Sequence, residues 1–237
     1  MIILSQNLNI HKNDGSLYTV ILSDIDSITF TSTPSGFGIP CHGIPTVTYG
    51  EQTYNTVLIG DQCWFKENLN IGTKINSTTG GFQQTDNGTI EKYCYNNDEA
   101  NCDTYGGLYE WTEAMQYITT KGSQGICPYG WHIPTYSEFQ TLQSYVGDQA
   151  TKLIDENAKN GYTYTNESEF SSLFTGYRGY DFGGFSYLGD FAYFWSSTAT
   201  GETGIDVNYM RLDYYNLDVS FDNSRKGNGF SVRCLKD

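Results

Sequence analysis

Cys127-Pro128-Tyr129-Gly130-Trp131-His132-Ile133-Pro134-Thr135 runs on into Tyr136-Ser137-Glu138-Phe139, and this stretch decides the fold. Thr135 as N-cap and Glu138 at the third helical position make a capping box, in which each side chain satisfies a backbone N–H that the first turn leaves open. Phe139, Leu142 and Val146 then line one side of the predicted helix. His132 lies between aromatic and apolar neighbours, which favours a structural hydrogen-bonding role over catalysis. Upstream, Leu108, Trp111, Thr112 and Met115 share a helical face after Gly106-Gly107. Shorter helical pieces are expected at 151–156 and 168–173, where Asn166 and Glu169 repeat the capping spacing.

Strands flank these helices. Val47 to Tyr49 and Tyr54 to Ile59 bracket Gly50-Glu51-Gln52 and read as a hairpin. Residues 71–92 are rich in Thr, Gly, Asn and Ser and read as loop with short strands at most. Val207, Tyr209, Arg211 and Asp213 begin an alternating run that reaches Phe221. Strands, then helices, then strands again point to an α+β fold with an antiparallel sheet. A small β unit precedes it: Leu17, Val20, Ile21 and Leu22 follow the turn Asn13-Asp14-Gly15, and Ile25, Ile28 and Phe30 supply another strand. The linker-like Thr31–Gly38 places the boundary near residue 36, giving units 1–35 and 36–237.

Composition narrows the function classes. The net charge of −14 repels phosphate backbones and anionic lipid, so nucleic acid is not an expected partner. No apolar run approaches the ~20 residues of a membrane helix. Met1–Ser5 is too short for a secretory core, which leaves a removed leader, another export route or a virion component open. Cys41, Cys63, Cys94, Cys102, Cys127 and Cys234 make an even count that points to disulfides and an oxidising compartment; buried thiols are the plainer alternative. The expected location is extracellular, on a cell surface or on a phage particle.

Catalytic signatures are missing from the sequence. The three histidines form no His-Glu-x-x-His motif, and no Gly-x-Ser-x-Gly elbow or phosphate-cradling loop occurs. A glycosidase needs two carboxylates at a set separation, and 27 acidic residues give no way to choose a pair. No enzymatic activity is expected. Asn96-Asn97-Asp98-Glu99 with Asp103 offers oxygens of the kind calcium takes, without EF-hand spacing; an exposed polar loop is the plainer reading. No cofactor is therefore expected unless calcium binds there.

Six segments stand out as motifs: 54–69 (Tyr54 to Leu69, with Gly60-Asp61-Gln62-Cys63-Trp64), Tyr105-Gly106-Gly107-Leu108-Tyr109-Glu110-Trp111, and the opening Cys127–Thr135 stretch. Gly176-Tyr177-Arg178, Phe194-Trp195-Ser196-Ser197-Thr198 and Gly229-Phe230-Ser231-Val232-Arg233-Cys234 follow in order. Together they resemble the Fibrobacter succinogenes major paralogous domain family. The resemblance implies a C-type-lectin-like domain of the formylglycine-generating-enzyme variety, with its termini together. It implies a Cys127–Cys234 bridge; Cys94 then pairs with Cys102 by proximity, and Cys41 with Cys63 as the remainder. Formylglycine-generating oxidases use two cysteines upstream of the last strand, but here none lies between Cys127 and Cys234. The calcium-binding sugar motifs of animal C-type lectins do not occur either.

Between these scaffold motifs the residues change character. Tyr180, Asp181, Phe182, Tyr187 and Asp190 come first. Asp206, Asn208, Tyr209, Arg211, Asp213, Tyr214, Tyr215, Asn216, Asp218, Ser220, Asp222, Asn223 and Ser224 follow. Tyr offers large contact area at low entropy cost, and Ser and Asn offer adaptable hydrogen bonds. The set reads as a surface for a protein or glycan ligand on another cell or surface; a structural subunit would instead bury it in a homo-oligomer. The bias toward Tyr, Asp, Asn and Ser near the C-terminus resembles the variable proteins of diversity-generating retroelements.

Overall fold

In a computed structural model the described residues are 7–11, 16–21, 38–158, 162–200 and 204–237. The chain divides into two units, Met1–Ser35 and Gly36–Asp237. In the first, β1 (Asn7–His11) and β2 (Leu17–Ile21) pair antiparallel from Asn7↔Ile21 to His11↔Leu17. The strand expected around Ile25, Ile28 and Phe30 lies outside the described residues, as does most of the linker.

The second unit opens with the expected hairpin of β3 (Thr46–Tyr49) and β4 (Gln52–Ile59). Its turn, Gly50-Glu51, has positive φ at both residues, the geometry that matches the twist of paired strands. β5 (Gln62–Phe65) pairs with β4. The 71–92 segment holds only β6 (Thr73–Lys74) and β7 (Glu91–Lys92), as a parallel pair. Next come α1 (Glu99–Tyr105), β8 (Tyr109–Glu110), α2 (Trp111–Ala114) and β9 (Trp131–His132). α3 (Tyr136–Tyr145) carries the capping box: Thr135 Oγ1 accepts from Glu138 N, and Glu138 Oε2 accepts from Thr135 N at 2.7 Å. The remaining strands are β10 (Thr175–Arg178), β11 (Phe185–Leu188), β12 (Phe191–Ala199), β13 (Asp206–Asp213), β14 (Ser220–Arg225), β15 (Gly229–Phe230) and β16 (Leu235–Lys236).

Three antiparallel sheets organise these strands. The first runs β3-β4-β5-β16-β9, so the last strand slots between early ones, with Leu235 opposite both Trp64 and His132. The second runs β11-β10-β15-β8, and the third is the meander β12-β13-β14. Disulfides join Cys41–Cys63, Cys94–Cys102 and Cys127–Cys234. The arrangement is α+β in the broad sense, mostly sheet with few helices.

The helical expectations are met in part. The helix expected over 108–115 shrinks to Trp111–Ala114, because Leu108 bridges Tyr93 and Tyr109-Glu110 joins a sheet. Near 151–156 there is only a 3₁₀ turn, Ala150–Lys152. No helix forms at 168–173: Asn166, Glu169 and Ser171 all have positive φ, Asn166 Oδ1 accepts from Ser171 N, and Glu169 is drawn to Lys66 Nζ at 2.7 Å. The Asn96–Asp103 loop instead contains α1: Asp98 caps Ala100 N, and Asn97 holds Ser77 through both its amide atoms.

One core lies between α3 and the back of the meander. Trp64, Phe139, Leu142, Phe170, Phe194, Met210 and Leu212 are all fully buried there. Each such side chain contributes about 1.5–3 kcal/mol relative to exposure. The scaffold motifs fix the corners. Pairing shifts between Trp195 and Ala199, which turns Ser196-Ser197-Thr198 out of register. Ser197 N then donates to Pro134 O and Thr198 Oγ1 accepts from Tyr136 N, so the strand holds the start of α3. Gly176 has φ 62°, and a Cβ there would come within 2.8 Å of Leu188 N and the Tyr95 ring, so glycine is required where β10 meets β11.

Candidate ligand-binding face

Alternation along β13 assigns its side chains to two faces. Met210 and Leu212 enter the core under α3, so Tyr209, Arg211 and Asp213 take the opposite face. Register extends that face to Phe191, Tyr193 and Trp195 on β12 and to Ser220, Asp222 and Ser224 on β14. Asp206, Asn208 and Asn223 belong to the Met210 side, beyond the end of the core, and Asn208 Nδ2 donates to Thr198 O. The Tyr/Asp/Asn-rich set is therefore divided by the sheet.

On the front face an aromatic cleft of about 150 Å³ is lined by Tyr177, Tyr187, Tyr193, Tyr209, Ser224, Asn228 and Phe230. Tyr193, Tyr209 and Phe230 are its buried floor. Tyr193 stacks on Phe230 at 4.9 Å, and Tyr209 meets the same ring edge-on at 5.1 Å. Tyr177 and Tyr187 stack at 5.9 Å to make one wall, and Tyr187 is 50% exposed. Burial raises the pKa of Tyr177, Tyr193 and Tyr209, so these phenols stay neutral over the physiological range.

Arg211 borders this floor. Its Nη2 donates to Asp213 Oδ2 at 3.2 Å; Nε lies 3.0 Å from Oδ1 but off the hydrogen-bond line, so that contact is electrostatic only. Asp213 is 1% exposed; burial raises its carboxyl pKa against the pull of Arg211. The guanidinium also lies 5.6 Å from the Phe191 ring centre. Asp213 thus holds Arg211 in place from below the surface.

Tyr180 lines a neighbouring groove, and Asp181 is tied to its rim through Arg225. The groove has a volume of about 520 Å³ and is lined by Phe82, Tyr180, Gly204, Ile205, Arg225 and Lys226. Asp181 Oδ1 accepts from Arg225 Nη1 at 2.9 Å, and Phe82 meets Tyr180 edge-on at 5.3 Å. Phe82, Phe182 and Ile205 are more than half exposed (53%, 56% and 62%). Asn228 joins the two recesses: its Oδ1 accepts from Tyr180 N and its Nδ2 donates to Ser224 Oγ, both at 2.6 Å.

The sequence profile of the Fibrobacter succinogenes major domain matches residues 57–236, well over half of the chain. The chain belongs to this family. No curated protein and no solved structure matches it. The match takes in both recesses and the bridge Cys127–Cys234, and it leaves out the first unit and Cys41.

Within the family domain the remaining expected residues have other settings. Tyr215 is 57% exposed and lies edge-on to Phe191 at 5.8 Å, extending the front face. Tyr214 is half-buried against Tyr162. Asn216 Nδ2 donates to Ser220 Oγ and Asn216 Oδ1 accepts from Asp218 N, so these residues shape the β13–β14 turn. Asp190 accepts from Tyr214 N through its backbone oxygen. Tyr177, Tyr193, Phe230 and Asn228 were not among the expected site residues, although all four line the cleft. Tyr177 and Phe230 belong to the scaffold motifs; β12 alternation, with Phe191 and Tyr193 two apart, is the signal that finds Tyr193.

A polar cleft of about 340 Å³ elsewhere on the family domain is lined by residues that include Asn55, Lys66, Glu67, Asn68 and Arg233. Lys66, Glu67 and Arg233 are engaged internally. Glu67 accepts from Asn55, Lys66 pairs with Glu169, and Arg233 donates to Asn68 Oδ1 and Phe170 O. Burial lowers the Arg233 pKa to about 9, which still leaves it charged at neutral pH.

Proposed function

We propose that this protein is a surface-displayed, receptor- or adhesin-like binding protein, and that its second unit is a C-type-lectin-like domain whose front face takes the ligand. The observation that carries this is the aromatic cleft: β10, β11, β12, β13 and β14 bring Tyr177, Tyr187, Tyr193, Tyr209 and Ser224 together over a buried floor. A large aromatic area on a rigid sheet is how paratope-like surfaces gain contact at low entropy cost. The last strand pairing with an early one, Leu235 opposite Trp64, supports the lectin-like reading.

Three disulfides are compatible with an extracellular setting, and among the described residues no helix is long and apolar enough to cross a membrane. The Tyr, Asp, Asn and Ser bias of the 206–224 segment also fits diversification by a retroelement. A near-identical template repeat differing at adenines, beside a reverse-transcriptase gene, supports that; its absence refutes it.

The test is a screen against glycans and cell-surface proteins, comparing the intact chain with Tyr187→Ala and Tyr209→Ala. Loss of a hit in both variants supports the site, and equal binding by all three refutes it. A structural subunit would instead show a homo-oligomer in solution scattering that buries Tyr187 and Tyr215.

A further inference from the structure

The aromatic cleft holds hydrogen-bonding groups with nothing to bond. Among the described residues, the hydroxyls of Tyr177, Tyr187 and Tyr193 have no partner. Tyr193 is the informative one, since its residue is only 8% exposed and a buried phenol ordinarily finds a partner. Its oxygen is not sealed off from solvent, and the residue lines the recess. Ser224 adds a further donor: Oγ accepts from Asn228 Nδ2, which leaves its own hydrogen free to point outward.

We infer that this cleft is a subsite for one neutral pyranose ring, bound without a metal ion. This rests on the reading of the front face as a binding surface. A phenol or serine hydroxyl both donates and accepts, so the natural complement is a ligand group that does the same, an alcohol. The ring faces between those hydroxyls are flat and apolar, and the C–H face of a sugar is flat and apolar as well. Few peptide side chains offer both within one ring. The cleft, at about 150 Å³, takes a single ring; drug-sized ligands fill roughly 300 Å³ or more.

Charge argues for a neutral sugar. The lining contains no ionised group, and Arg211 beside it is held by Asp213. The chain as a whole carries −14, which disfavours sialylated or sulfated glycans at its surface.

The probes are the methyl glycosides of glucose, galactose, mannose, N-acetylglucosamine and sialic acid. They are tested by saturation-transfer NMR on the full chain with a chelator present. At least one neutral glycoside is expected to bind, with transfer strongest to the protons of one ring face, and the sialoside is expected to give none. Tyr193→Phe and Tyr177→Phe keep the rings and the fold while removing one hydroxyl, and each is expected to weaken binding about fivefold. No neutral glycoside binding, dependence on calcium, or equal affinity in both Phe variants overturns the inference. If no glycoside binds but a protein ligand is captured through Tyr187 and Tyr209, the sugar class fails and the binding face stands. If a glycoside binds equally to Tyr187→Ala and Tyr209→Ala, both fail.

Discussion

Arg178 Nη1 stands 3.5 Å from Glu110 Oε1, and both side chains are fully shielded from solvent. Around this pair the chain spends its buried donors and acceptors. Arg178 donates to Ser77 Oγ and to the carbonyls of Thr79, Gly81 and Gly227; Glu110 accepts from Tyr93 OH and Gln83 N. One guanidinium therefore ties the 77–83 loop to the turn before β15. Removing one member of a buried ion pair costs about 3–5 kcal/mol, because the other is left uncompensated. Arg178→Ala is expected to lose that much in chemical denaturation. It also frees the loop bearing Phe82, so the 520 Å³ groove loses its shape. A loss below about 1 kcal/mol, the range of an exposed pair, would show that the network is not buried as described.

The three bridges close loops of very different length, with sequence separations of 107, 22 and 8. Loop-closure entropy gives about 5 kcal/mol for Cys127–Cys234 and about 2.5 kcal/mol for Cys94–Cys102. Replacing Cys127 and Cys234 together by Ser is expected to lower stability about twice as much as the same change at Cys94 and Cys102. Denaturation midpoints of the two double variants test the ranking, and equal costs refute it.

The sequence motifs located the scaffold better than the site. Thr135 and Glu138 signalled α3 because a capping box is a local device, readable within four residues. The α1 helix was missed for the opposite reason. Cys102 is its only buried residue, so it has no apolar periodicity, and a disulfide and the Asp98 cap hold it instead. The Tyr/Asp/Asn composition of 206–224 was plain, but its division between two faces was not, since that depends on which side of β13 meets α3. Tyr177 and Phe230 were read as scaffold, yet they are wall and floor of the cleft. A motif residue that packs against the core with one ring edge can present the other to a ligand.

His132 provides a pH-dependent contact. Its Nδ1 lies 2.7 Å from Asp237 Oδ1 and its Nε2 lies 3.2 Å from Glu138 Oε1. Burial pulls the imidazole pKa down, but the hydrogen bonds to Glu138 and Asp237 outweigh it and the net shift is upward. Burial opposes the Glu138 shift as well, yet His132 and Thr135 bring that carboxyl down to about 2. A raised imidazole pKa means that the folded chain holds the proton more tightly than the unfolded one. Its contribution is complete below pH 6.5 and is lost as pH rises through the folded value. The Glu138 contribution is complete above pH 4.5 and is lost as pH falls toward 2. The pair therefore contributes most between these limits. The stability gap between the intact chain and His132→Gln is expected to be widest near pH 5.5, about midway between 4.5 and 6.5, and to narrow by pH 8.5. Urea denaturation across that range checks it, and a gap that is constant or widens with pH refutes it.

Tyr215 and Phe230 separate binding from folding on the same face. Tyr215 is 57% exposed and touches Phe191 and Tyr214 only by ring edges, whereas Phe230 is 2% exposed under Tyr177, Tyr193, Tyr209 and Trp195. Tyr215→Ala is expected to change stability by no more than about 0.5 kcal/mol, as surface changes do. Phe230→Ala removes the cleft floor and is expected to cost about 3–5 kcal/mol. If the front face binds as proposed, Tyr215→Ala weakens capture of any ligand broad enough to reach past the cleft while the melting temperature holds. A ligand confined to the cleft is unaffected by Tyr215→Ala and is lost with changes to the cleft's own lining, such as Tyr187→Ala or Tyr209→Ala. Measuring melting temperature and binding on the same preparations distinguishes the two cases. Loss of stability in Tyr215→Ala comparable to that in Phe230→Ala would show that Tyr215 is part of the core and not of the displayed surface.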